Sequence, residues 1–93
     1  MTPEEELQRA SRAEQVLGDS LFKEAVSQVE QALLDGIRRS PIKDADLREK
    51  MCQQLIQLEA VVGYLRTVME TGKLAEATLK QRAIAAVRKV GNW

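Results

Sequence analysis

Met51, Leu55, Leu58, Val62, Leu65 and Met69 recur at alternating steps of four and three residues, and this run constrains the chain more than any other feature. Such steps keep successive side chains on one side of an α-helix, whereas a strand would send them to alternate faces. Sustained over about three heptads, the pattern is that of antiparallel helical hairpins and coiled coils. Ile56, Val61 and Val68 widen the apolar stripe beyond what one neighbouring helix covers. The helix so defined starts at Asp44, whose carboxylate suits an N-cap, and runs to about Thr71, where Gly72 and Lys73 mark a break or kink.

A preceding helix is capped by Asp19 or Ser20. Its apolar residues, from Leu21, Phe22, Ala25 and Val26 through Val29, Ala32 and Leu33 to Gly36 and Ile37, form one broad stripe expected to be buried. Pro41 ends it, since proline cannot continue a helix and disfavours helical geometry at Ser40. The segment from Arg38 to Lys43 is short enough to reverse the chain, so residues 19–71 read as a helical hairpin.

Shorter helices flank the hairpin. Thr2-Pro3-Glu4-Glu5 is a helix start, with Thr2 as cap, Pro3 in the first turn and Glu5 placed for a capping box, and Gly18 is its stop. Beyond the break, a fourth helix runs from about Leu74 to Val90, with Leu74, Ala77, Ile84, Val87 and Val90 on its apolar side. The expectation is an all-α single domain over residues 1–93: a central antiparallel hairpin, a short N-terminal helix, and a basic C-terminal helix or arm at 73–93. At 93 residues the chain buries only a marginal core, and aromatic residues are confined to Phe22, Tyr64 and Trp93. Aliphatic packing between helices and self-association into a homo-oligomer are the expected remedies.

The sequence argues against an enzyme. It has no histidine, which removes the commonest general base, metal ligand and partner of a nucleophilic serine or cysteine. Cys52 is the sole cysteine; beside Met51 it reads as a small, semi-buried packing residue, with a reactive thiol as the alternative. Asp44, Asp46 and Glu49 cluster at a helix start, but without the glycine and alternating oxygen ligands of a calcium loop they read as capping and dipole compensation. Thr71-Gly72-Lys73 lacks the upstream glycine and strand of a phosphate-binding loop. No catalytic residue, cofactor or metal is expected.

Fourteen basic and fourteen acidic residues cancel overall, but unevenly. Residues 1–17 carry Glu4, Glu5, Glu6 and Glu14 against Arg9 and Arg12, while residues 71–93 carry Lys73, Lys80, Arg82, Arg88 and Lys89 against Glu76 alone. On a helix Lys80, Ile84, Val87 and Arg88 fall close together, mixing basic and apolar character. A helix that binds a protein partner is the first reading of this segment. Contact of Lys80, Arg82, Arg88 and Lys89 with a nucleic-acid backbone is the second, and membrane-surface binding the third. Trp93 reads as an anchor in a neighbouring subunit's pocket, or else as a loosely held terminus. The candidate protein interface therefore comprises the six seam residues and Trp93. A lone cysteine and no signal-peptide pattern point to an intracellular setting, and no apolar run approaches the roughly 20 residues that cross a bilayer.

Arg12-Ala13-Glu14, Leu21-Phe22-Lys23-Glu24-Ala25, Asp44 with Arg48-Glu49-Lys50, and Glu70-Thr71-Gly72-Lys73-Leu74-Ala75 together span roughly residues 12 to 75. In these stretches the chain resembles a group of small all-helical proteins of tailed bacteriophages and prophages. The resemblance implies a phage origin, the cytoplasm of a bacterial host or the virion as location, and a role in virion assembly or DNA packaging; it brings no catalytic residues. The expected function is that of a structural or assembly protein acting on itself and on other subunits, with a DNA-binding packaging or regulatory factor and a small inhibitor of a host protein as alternatives.

Overall fold

The computed structural model describes residues 1–91, with side-chain surroundings given through Arg88. The described residues form three helices and no strand: α1 (Pro3–Gly18), α2 (Ser20–Arg39) and α3 (Ala45–Gly91). The protein is all-α. No helix among the described residues is long and apolar enough to cross a membrane.

Local chemistry sets most of the helix boundaries. Thr2 Oγ1 accepts from the Glu5 amide at 3.2 Å, and three glutamates, Glu4, Glu5 and Glu6, occupy the first turn of α1, where the helix dipole is positive. Asp19, in extended geometry, caps α2 by accepting from the Phe22 amide at 2.8 Å. Asp44 does the same for α3, accepting from the Leu47 amide at 3.1 Å. At the end of α2, Ser40 takes an extended conformation ahead of Pro41, and its hydroxyl donates to the Ile37 carbonyl at 2.7 Å.

One expected boundary is absent. The helix does not stop at Gly72: α3 continues unbroken through it, so the separate fourth helix is the second part of α3. A glycine stop uses a left-handed backbone, and no described glycine has positive φ. The residues that follow, rich in Ala, Lys, Arg, Gln and Leu and free of proline, favour propagation enough to absorb the cost of about 1 kcal/mol for an interior glycine.

By packing, the chain divides into two units: residues 1–15 with α3 from Leu65 onward, and residues 16–64. In the first unit, Ala10 and Ala13 of α1 and Ala75 of α3 are the buried hydrophobic side chains among the described residues. Gly72 is buried with them. A Cβ added there would collide with the Ala10 Cβ and lie 3.5 Å from the Glu6 carbonyl oxygen. Small residues on both helices are what permits so close an approach, in which one backbone lies nearly against the other.

The second unit contains α2 and the start of α3. Phe22, Val26, Leu33, Leu34 and Ile37 of α2 and Met51, Leu55, Leu58 and Val62 of α3 are half-buried. The Met51 thioether occupies the space left by Gly36, 2.6 Å from where a Cβ would stand. Arg48 holds the connecting segment: its guanidinium donates to the carbonyls of Pro41 at 2.6 Å and Ile42 at 2.9 Å, and to the Ser40 hydroxyl at 3.4 Å. Planar donors in a fixed fork suit this grip on successive backbone oxygens.

Candidate interaction surface

The six seam residues expected to form an interface are half-buried within the chain. Met51, Leu55, Leu58 and Val62 belong to the second unit, and Leu65 and Met69 to the first. In the second unit the covered side of α3 follows the seam through Val62. In the first unit Leu65, Val68, Met69 and Leu79 are half-buried, and Gly72 and Ala75 are buried. The seam side beyond Met69, at Glu76, Lys80 and Val87, is exposed.

The broad stripe of α2 is covered only in part. At about 100° per residue, Phe22, Val26, Leu33 and Ile37 lie on one side of it and are half-buried; Leu21, Ala25, Val29 and Ala32 lie beside them and are exposed, Leu21 to 70% and Val29 to 48%. The expectation that all of them are buried is corrected on this point. The periodicity marks a stripe wide enough for two neighbours, and the chain itself supplies one. On α3 of the same unit, Ile56, Val61 and Tyr64 are exposed to 63%, 60% and 61%. Ile56 and Val61 are two of the residues that widen the seam in the sequence; Val68, the third, is half-buried in the first unit.

Cys52 is exposed rather than semi-buried, because one residue along a helix is about 100° around it and so off the Met51 seam. No polar or charged side chain is buried among the described residues, and none of their His, Cys, Asp and Glu side chains form a group able to hold a metal ion. The first unit carries an open groove of about 400 Å³ between α1 and α3, with Leu7, Ala10 and Gly72 at its floor and Glu14, Lys73 and Glu76 among its walls.

The basic residues of α3 do not share one face. Lys80 pairs with Glu76 at 3.2 Å, both side chains being largely exposed. Arg82 stands two residues on, roughly 200° around the helix, and Arg88 about 80° from Lys80. Residues 80–88 are all exposed, Ile84 and Val87 included. The Lys89 side chain and Trp93 lie outside the described residues. No protein-family model matches the sequence, and neither a curated protein nor a solved structure does.

Proposed function

We propose that the chain is a non-enzymatic assembly protein acting through helix–helix association with further copies of itself and with other subunits. On this reading α2 and the first part of α3 form an antiparallel hairpin that serves as the rigid body, and its surplus apolar surface makes the contacts. The setting implied by the sequence resemblance is virion assembly of a tailed bacteriophage in its bacterial host.

The observation that carries the reading is which side chains stay exposed and which are covered. Among the described residues Leu21, Val29, Ile56, Val61 and Tyr64 are 48–70% exposed, whereas the buried hydrophobic side chains are the alanines Ala10, Ala13 and Ala75. The absence of histidine supports a role without imidazole acid–base chemistry.

Sedimentation equilibrium of the purified chain at micromolar concentration tests the proposal. The expected mass is a multiple of 10.4 kDa. A single-chain mass at every concentration reached, with full helicity, overturns it.

A further inference from the structure

The geometry points to a binding site for double-stranded DNA on the last turns of α3. We propose that residues 80–91 lie in the major groove, with Lys80 and Arg88 on the phosphates of one wall and Arg82 on those of the other. The inference goes beyond the assembly reading and does not depend on it.

Charge and exposure set this stretch apart. From Ala77 onward the sequence holds Lys80, Arg82, Arg88 and Lys89 and no acidic residue. Leu79 is half-buried, whereas every side chain from Lys80 to Arg88 is exposed, so among the described residues nothing packs on this stretch. Arg82 and Arg88 have no ion pair among the described residues, and the first-turn glutamates of α1 therefore leave them unneutralised. Lys80 pairs with Glu76, but both side chains are more than half exposed, and so weak a solvated pair yields to a phosphate.

The cations stand on two flanks of the helix. At about 100° per residue, Lys80 and Arg88 are about 80° apart, and Arg82 is about 120° beyond Arg88. Lys89 takes a helical position about 20° from that of Arg82. Between Arg88 and Arg82 lie Gln81, Ala85 and Thr78, none of them charged. Ala85, with no side chain beyond Cβ, lets the middle of this arc approach base edges while the flanks reach the backbone. The acids of α3 stand clear of the arc. Glu76 is on the opposite side of the helix, and Glu70, on the same side, comes about 22 Å before Ala85 along the axis, well past a screening length of about 8–10 Å.

Among polyanions this layout favours duplex DNA. A helix with its side chains is about 10–12 Å across, and the major groove is about 12 Å wide with phosphates on both walls. The corresponding groove of duplex RNA is too narrow and deep to be entered. Single strands are held by stacking on aromatic side chains, and residues 77–91 contain none. A membrane surface calls for separate apolar and basic faces, whereas Ile84 falls between Lys80 and Arg88, and Val87 lies beside Lys80.

Fluorescence anisotropy of a labelled duplex of about 20 base pairs, titrated with the full chain, tests the proposal. Three or four phosphate contacts give a salt slope of about −2.7 to −3.6, so affinity is expected to fall roughly 40- to 150-fold between about 50 and 200 mM salt. Arg82→Gln and Arg88→Gln are each expected to flatten that slope by about 1, while Lys43→Gln, which removes the same charge from the loop before α3, leaves it unchanged. Far-UV circular dichroism checks that helicity is kept. Absence of binding at low salt overturns the proposal, as does a slope that responds to only one of the two arginines, to neither, or equally to Lys43→Gln. Competition against the wild-type chain needs no variant. Unlabelled duplex DNA is expected to displace the probe, and duplex RNA, single-stranded DNA or phosphatidylserine vesicles that displace it equally well or better overturn the choice of partner. Methyl green, which occupies the major groove, is expected to compete, and netropsin, which occupies the minor groove, is not; the reverse overturns the placement.

Discussion

Replacing Gly72 with alanine sets two effects of opposite sign against each other, and the structure decides which wins. In an uncovered helix the change stabilises by about 1 kcal/mol, since glycine pays the larger backbone entropy. At Gly72 the new Cβ would collide with the Ala10 Cβ and stand 3.5 Å from the Ala10 Cα and from the Glu6 carbonyl oxygen. The Ala10 methyl has no rotamer through which to escape, so relief requires α1 and α3 to separate, which loosens Ala13 and Ala75 as well. Overpacking of this kind costs about 1–3 kcal/mol, and set against the gain of about 1 kcal/mol it gives a net loss of up to about 2 kcal/mol, or a fall in Tm of up to roughly 15 °C for a domain of this size. Two other glycines serve as controls. At Gly63 nothing stands within 4 Å of an added Cβ, so Gly63→Ala stabilises by about 0.5–1 kcal/mol. At Gly36 the obstacle is the Met51 sulfur, part of a flexible side chain that can turn aside, so Gly36→Ala changes stability little. Urea denaturation followed by far-UV circular dichroism, at one fixed chain concentration, measures all three. A second substitution, Ala10→Gly in the Gly72→Ala background, is expected to recover part of the loss, with a coupling of about 1–2 kcal/mol. If Gly72→Ala stabilises as much as Gly63→Ala and shows no coupling to position 10, α1 does not lie against Gly72 and the packing of this unit is wrong.

Other outcomes follow from the same contacts. Asp19→Ala and Asp44→Ala each remove a cap acceptor and are expected to cost about 1 kcal/mol, read from the same denaturation curves; no change in either would mean that the cap bond contributes nothing in solution. Arg48→Ala removes three hydrogen bonds to the segment at 40–42 and is expected to cost about 1–3 kcal/mol; lysine, lacking the planar fork, recovers only part, and full recovery would show that charge alone matters. Cys52, exposed on α3, is expected to react with a thiol reagent in the native protein about as fast as in the denatured chain, and strong protection would place it in a contact.

The parts of this fold legible in the sequence are those set within a few residues. Thr2, Asp19 and Asp44 cap the helices that follow them, and Pro41 with Ser40 ends α2, because each acts on backbone groups three or four positions away. Gly72 was not legible in that way. In sequence it has the look of a stop, while its role is to admit Ala10, more than sixty positions earlier, and nothing local records that partner. The α2 stripe fails for a related reason: periodicity tells which sides of a helix are apolar but not how many neighbours arrive to cover them, so Leu21 and Val29 read the same as Val26 and Leu33. Cys52 is different, since its exposure follows from helix geometry once it is placed around the axis rather than beside Met51 in the chain.

Side-chain size and burial run in opposite directions in this protein. Among the described residues the deepest positions hold glycine, which has no side chain to bury, and alanine, whose methyl group contributes about 0.8 kcal/mol on burial, while Leu21, Val29, Val61 and Ile56 remain outside, each able to contribute about 1.5–3 kcal/mol if covered. Close contact between α1 and α3 thus supplies geometric definition more than driving force. Those exposed side chains hold the larger reserve of hydrophobic free energy, and on the assembly reading that reserve is drawn on only when chains meet. Folding and association are then coupled by mass action, so a substitution at one of these exposed apolar residues acts on stability through the oligomer, whereas one at Gly72 acts within a single chain. The two kinds of site are separable for that reason: the first loses its effect on dilution below the dissociation constant, and the second does not.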